Sequence, residues 1–196
     1  ARRQLEQALA MGDGRAYFTS GGTEADNMAV FGAAKALKRR GRRVITSAVE
    51  HPAVLECFKA LEADGFDVVY IGVDKKCRLD MEQLEAAVNS DTILVSVMHV
   101  NNETGIIQPI KEIGDRLVDK DVLLHIDATQ SCGKLVEEIR KIKYDMLSFS
   151  GHKMYGPQGI GALVLRRKNF KLPPVKPIMF GGLQEHGISP GTIPVA

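Results

Sequence analysis

No apolar run in the chain approaches the roughly 20 residues that a bilayer-spanning helix needs, and no signal peptide is visible. A membrane role and secretion are therefore not expected. Charge of one sign is missing too: 26 Lys and Arg face 24 Asp and Glu, a formal net charge of +2. That balance offers no strong field to nucleic acid or to an anionic membrane. The one basic cluster, Lys38, Arg39, Arg40, Arg42 and Arg43, has no aromatic residue interleaved with it. It stands at an expected helix end, where positive charge complements the macrodipole. Cysteine is scarce: Cys57, Cys77 and Cys132 are scattered and odd in number. That pattern argues against a disulfide framework and shows no Cys/His spacing for a metal. A reducing, cytoplasmic setting fits it.

What is present is an ordinary globular composition, 44% hydrophobic and 26% charged over 196 residues, enough for one domain with a sizeable core. Short β-rich runs alternate with helical patterns. Strands are expected at 17–20, 43–47, 67–73, 92–100, 122–127, 144–149 and 160–165. Helices are expected from Thr23 to about Arg40 and from Pro52, then at 81–89, 109–119 and 135–141. Thr23 reads as an N-cap, with Glu24 and Asp26 in the first turn. The alternation predicts an α/β sandwich with a largely parallel sheet and helices on both faces. Residues 167–180, with three prolines, read as an irregular connection. Ala1 opens inside an amphipathic pattern (Leu5, Leu9, Met11), and Ile193-Pro194-Val195-Ala196 brings no closing element. A piece of a longer protein is therefore expected.

In open α/β sheets ligands bind beyond the carboxyl ends of the strands, and the polar clusters of this chain fall there. Ser20-Gly21-Gly22-Thr23 leaves one strand and opens a helix, which is either a plain cap or a phosphate cradle of free N–H groups. It matches neither a Walker loop nor the dinucleotide fingerprint. His51, after Glu50, either caps the next helix or faces a ligand. Asn101 and Asn102 are either turn chemistry or donors to a bound oxygen. Asp127 ends a buried-looking strand, where a lone carboxylate is costly unless paired. A protonated pyridine nitrogen would be a fitting partner, with an N-cap or buried salt bridge as the alternative. Ser148-Phe149-Ser150-Gly151-His152-Lys153 delivers two hydroxyls, an imidazole and an amine to one loop. The amine could form a Schiff base, and the hydroxyl and imidazole could hold phosphate oxygens. Together the five strand ends suit a pyridoxal phosphate site better than a hydride-transfer or kinase site.

Six segments in this order resemble the cysteine desulfurases of the class V aminotransferase family. They are Phe18 to Asn27, Glu50 to Val54, His99 to Gly105, Asp127 to Ser131, Ser150 to Lys153 and Gly181 to Gly187. The resemblance covers essentially the whole chain. It implies a three-layer α/β sandwich with a mostly parallel, mixed sheet: the large domain of fold-type I pyridoxal phosphate enzymes, here residues 1–196. It implies that Lys153 is the Schiff-base lysine and moves protons, that Asp127 pairs with the pyridine nitrogen, and that His51 stacks on the ring and acts with Lys153 as a catalytic residue in acid–base steps. Asn102 and Gln130 would touch the ring hydroxyl region, and Gly22, Thr23, Ser150 and His152 would hold the phosphate. Thr192 would reach the phosphate of the partner subunit, so a homodimer is implied. The implied reaction removes sulfur from L-cysteine, giving L-alanine and an enzyme persulfide for iron–sulfur cluster assembly or another sulfur-acceptor protein.

Two departures qualify the resemblance. The family's persulfide-forming cysteine and substrate-carboxylate arginine belong to a smaller C-terminal domain that this chain lacks, and none of its three cysteines matches the motif position. Ser189-Pro190 stands where the family carries Arg-Ser. A selenocysteine lyase, another class V lyase or aminotransferase, and a non-catalytic interaction module are the alternatives. No metal, nucleic acid or membrane partner is expected.

Overall fold

A computed structural model describes residues 1–168 and 171–191. Its strands are β1 (Arg15–Thr19), β2 (Arg43–Ser47), β3 (Asp67–Ile71), β4 (Thr92–Met98), β5 (Leu123–Asp127), β6 (Met146–Ser150) and β7 (Gly161–Leu165). Between them run α1 (Arg2–Ala8), α2 (Gly22–Leu37), α3 (Pro52–Ala63), α4 (Met81–Ala87), α5 (Ile110–Leu117) and α6 (Val136–Arg140). They form one seven-stranded sheet in the order β1-β7-β6-β5-β4-β2-β3. Five neighbouring strands are parallel, and β7 runs antiparallel to both β1 and β6. Being antiparallel to the same strand, β1 and β6 point the same way. Their carboxyl ends therefore lie at the edge where β2, β4 and β5 also end.

Side-chain alternation builds the two outer layers. Val95, Val97, Leu124, Ile126, Leu147 and Phe149 face the core shared with Leu84, Ile113 and Ile139 of α4, α5 and α6. The opposite face meets α2 and α3 through Met28, Ala29, Ala33, Val54 and Phe58. On that second face the central strands carry polar residues: Ser96 beside His125, and Asp127 beside Ser148. All four are buried. The sheet face that carries α2 is therefore apolar near its amino edge and polar towards its carboxyl edge.

The expected elements are all present: β2 keeps its expected bounds, β1 begins two residues earlier and β6 ends one residue later, and the other ends lie within three residues of expectation. Two local expectations change. Helix α2 ends at Leu37, and the basic run beyond it is engaged locally: Arg40 with Asp121 and the Thr92 carbonyl, Arg42 with the Asp64 carbonyl and over Phe66, and Arg43 with Asp67. Thr23 is not the N-cap of α2. Gly21 occupies that position and offers no side chain, so no side chain caps the helix. Glu24 instead reaches back to accept from the backbone N–H and hydroxyl of Ser20, 2.7 and 2.6 Å away.

Candidate active site

The uncapped start of α2 is the first wall of the site. The chain leaving β1 must step over β7 to place this helix above β6, and it does so at Gly161. A Cβ there would lie 2.6 Å from the Gly21 carbonyl carbon and 2.7 Å from its Cα. At Gly22 a Cβ would stand 3.0 Å from Thr129 Oγ1 and 3.5 Å from Ser150 Cβ. These two close approaches bring the free N–H groups of the first helical turn beside the β5 and β6 ends. Such a turn is suited to an anion.

A cavity of about 330 Å³ opens there. Gly22, Thr23, Ser150 and His152 line one end, with Ser150 Oγ 2.8 Å from His152 Nδ1. Lys153 lines the same cavity from a 3-10 turn, Gly151–Met154, closed by Tyr155 in the left-handed region at φ 64°. His51, Asn102 and Gln130 line the remainder. The two readings of His51 coexist. Its Nδ1 accepts from Ala53 N–H at 3.1 Å and caps α3, and the ring also faces the cavity. Asn101 is turn chemistry, its Oδ1 accepting from the Glu103 and Thr104 N–H groups at 3.0 and 2.8 Å. Asn102 is the amide that reaches the cavity. Nine of the ten expected site residues thus meet in one place. The tenth, Thr192, lies outside the described residues.

Asp127 forms the floor. It is 5% exposed and accepts from Thr129 N–H at 2.8 Å. Burial pushes its carboxyl up, and the Thr129 bonds and His51 pull against that. Among the described residues it has no salt bridge. A buried carboxylate at the bottom of a cavity, without a cation, is suited to a cationic ligand atom above it.

The structure adds residues that carried no role in the sequence reading. Thr129 holds Asp127. Asp26, only 2% exposed, lines the same cavity from α2, and its Oδ1 meets Ser148 Oγ in a short contact. Burial pushes Asp26 well up, reinforced by Asp127 and Glu50 and opposed by Ser148. Glu50 is buried beneath the β2 exit, where it accepts from Ser47 Oγ and, at 3.0 Å, from Met98 N–H. Its Oε2 has no partner, and burial pushes the carboxyl up to about 8. The available signal was polar residues inside runs that read as uniformly apolar: Ser96 in β4, and at period two His125 and Asp127 in β5 and Ser148 and Ser150 in β6.

The cysteines offer no nucleophile to this cavity. Cys57 and Cys132 are buried, and burial raises both thiols to about 12. Cys77 sits in the turn after β3 and does not line the cavity. No group of three or more His, Cys, Asp or Glu among the described residues could hold a metal ion, and no described helix is long and apolar enough to cross a membrane.

Comparison with known proteins bears on the family and the fold. The Cysteine desulfurase IscS of Pectobacterium atrosepticum is 47% identical over 197 aligned positions, covering 100% of this chain but 48% of that protein. The chain therefore spans about half the length of that relative. DndA from Streptomyces lividans superposes with a TM-score of 0.89 at 42% identity, over 98% of this chain and 56% of that one. SspA, solved in complex with cysteine, gives 0.81 at 38% identity, over 99% and 59%. The architecture is that of the large domain of fold-type I enzymes. The family model for class-V aminotransferases matches residues 1–190, and the chain belongs to the class-V aminotransferase family.

Proposed function

We propose that residues 1–196 are the pyridoxal-phosphate-binding large domain of a cysteine desulfurase. The observation that carries this reading is the convergence of an uncapped helix start, a buried unpaired carboxylate and a lysine on one cavity. The donor set fits the cofactor: N–H groups of the Gly22 turn, Ser150 and His152 for a phosphate, Asp127 for a ring nitrogen, and Lys153 Nζ for covalent attachment. When bound, the cofactor supplies an electron sink for carbanion-like states of an amino acid.

The residues have separable tasks. Asp127, held by Thr129, keeps a positive charge on the ring nitrogen. His51 has Nδ1 committed to α3, so only Nε2 is available to the cavity, where it would contact the bound cofactor. Asn102 and Gln130 orient ring substituents. Lys153 stands on a short turn, and its Nζ would hold the cofactor and could carry a proton in the cavity. The relatives' names, a cysteine desulfurase and a protein solved in complex with cysteine, support cysteine as substrate, and the same reading gives alanine as product with sulfur passed to an enzyme thiol. Cys57 and Cys132 are buried with raised thiols, so the attacking cysteine is assigned to the part of the protein outside these residues. The same reading includes a cytoplasmic homodimer, with Thr192 near the partner's phosphate site, and a sulfur-acceptor protein for iron–sulfur assembly or a related transfer.

The test is a visible absorbance spectrum of the full-length protein with added pyridoxal phosphate, beside Lys153→Ala. A borohydride-sensitive band in the native protein and none in the variant is expected. Equal bands, or no band in the native protein, would overturn the reading.

A further inference from the structure

Ser96, His125 and Ser148 stand side by side on β4, β5 and β6, and α2 lowers Asp26 onto the row. Ser96 Oγ is 2.8 Å from His125 Nδ1, and His125 Nε2 is 3.1 Å from Ser148 Oγ. Ser148 Oγ in turn meets Asp26 Oδ1 in a short contact. The first three residues are 0% exposed and Asp26 is 2% exposed, so water does not interrupt the chain.

Each hydroxyl has one proton and a neutral imidazole has one N–H. The chain must therefore run in a single direction. With Asp26 ionised, Ser148 donates to it, His125 carries its proton on Nε2 and donates to Ser148, and Ser96 donates to Nδ1. With the proton on Asp26 Oδ1 every bond reverses. Asp26 then donates to Ser148, Ser148 donates to Nε2, and Nδ1–H donates to Ser96. The tautomer of His125 reports whether Asp26 Oδ1 donates to Ser148 or accepts from it. The imidazole is neutral in both cases, since burial holds it down to about 3.

The choice between directions follows from the shared cavity. Asp26 and Asp127 both line it, and two buried carboxyls in one site do not both ionise. Asp127 has the backbone and side chain of Thr129 as donors and His51 nearby, whereas Asp26 has a single hydroxyl. The groups that bear on Asp26 from the packed elements are Asp127, Glu50 and the Cys57 thiol, none of them cationic, and the neutral His125; Lys153, His51 and His152 line the same cavity, with no ion pair to Asp26 among the described residues. We propose that Asp26 is a positioning residue: it stands as the neutral acid, donating through Ser148 to His125, and leaves Asp127 as the sole anion beneath the cofactor ring. This role rests on the cofactor reading above.

The experiment uses full-length protein with 15N-labelled histidine. In the cofactor-free protein the His125 ring nitrogens should report a proton on Nδ1; a proton on Nε2, or on both, overturns the proposal whatever the cofactor does. In the loaded protein Asp26→Asn keeps a donor to Ser148. The pH midpoint of the visible cofactor band should then stay within about 0.3 unit of native, since no charge has been removed. A movement of about one unit or more would mean that Asp26 is charged, and would equally overturn the proposal. If native protein shows no band, the cofactor reading falls and takes the positioning role with it, while the tautomer still tells which way the chain runs.

Discussion

Gly161→Ala tests whether the crossing of β1 over β7 is what assembles the site. An added Cβ would sit 2.6 and 2.7 Å from the Gly21 backbone and 2.7 Å from the Phe149 carbonyl oxygen. All three obstacles are main chain, so no rotamer change relieves them. Either the β1–β7 pairing opens or the Gly21 turn lifts from β6. Overpacking of this kind costs about 1–3 kcal/mol. At about 2–4 °C per kcal/mol for a chain of this size, the melting temperature of the cofactor-free protein should fall by about 2–12 °C. Gly22→Ala is the control. Its Cβ would meet Thr129 Oγ1 at 3.0 Å and Ser150 Cβ at 3.5 Å, side chains that can yield. Replacing a helical glycine also returns about 0.5–1 kcal/mol of backbone entropy. Gly22→Ala should therefore melt near native yet bind pyridoxal phosphate less tightly, because the methyl lies between two cavity-lining side chains. Gly161→Ala should lose both stability and affinity. Thermal unfolding by circular dichroism and an absorbance titration read the two quantities. A Gly161→Ala protein melting within about 1 °C of native would refute the argument.

Two further outcomes follow from buried and half-buried carboxyls. Glu50 holds its proton up to about 8 when folded, against 4.5 ordinarily, so its contribution to stability is present below pH 4.5 and is lost as pH rises towards 8. His125 runs the other way, its contribution recovering as pH rises from about 3 to 6.5 and then constant. Between pH 6.5 and 8 Glu50→Gln should therefore flatten the decline of stability by up to about 1.4 kcal/mol per pH unit, read from urea midpoints at the two ends. Identical slopes would count against a buried acid there. Ser189→Ala removes a 2.7 Å hydrogen bond to Glu24 Oε1. The loss should be about 1 kcal/mol, low for a bond to a charged group because Glu24 is partly solvated. Hydrogen exchange should rise across residues 181–190, and unchanged exchange would remove this tie from the account.

The alternation of short apolar runs with helical patterns was enough to place the strands, because burial on both faces writes itself as continuous hydrophobicity. The five polar strand ends were legible for the same reason, each standing out against an apolar run. Strand order was not legible. The reversal of β7 that brings Thr19 and Ser150 to one edge depends on a pairing between the first and last strands, which no local pattern encodes. The N-cap of α2 was misplaced because Thr23 has the better capping chemistry, whereas the helix leaves its first N–H groups free at Gly21. Asp26 read as a helix-start carboxylate. Its burial comes from contact with Ser148, 122 positions away. At Ser189 the hydroxyl donates to the Glu24 carboxylate and ties the segment 181–190 to α2.

The position of β7 also bears on when the site can exist. Its walls come from residues near 20 and residues near 150, joined only after the intervening strands are laid down, and contacts of such separation form late and slowly. A cofactor seated there clamps the opening and closing segments of the sheet and stabilises the folded chain by mass action. Occupancy would thus serve as a record of completed folding, and a nascent chain arrested before β7 emerges would have strand ends but nowhere to bind.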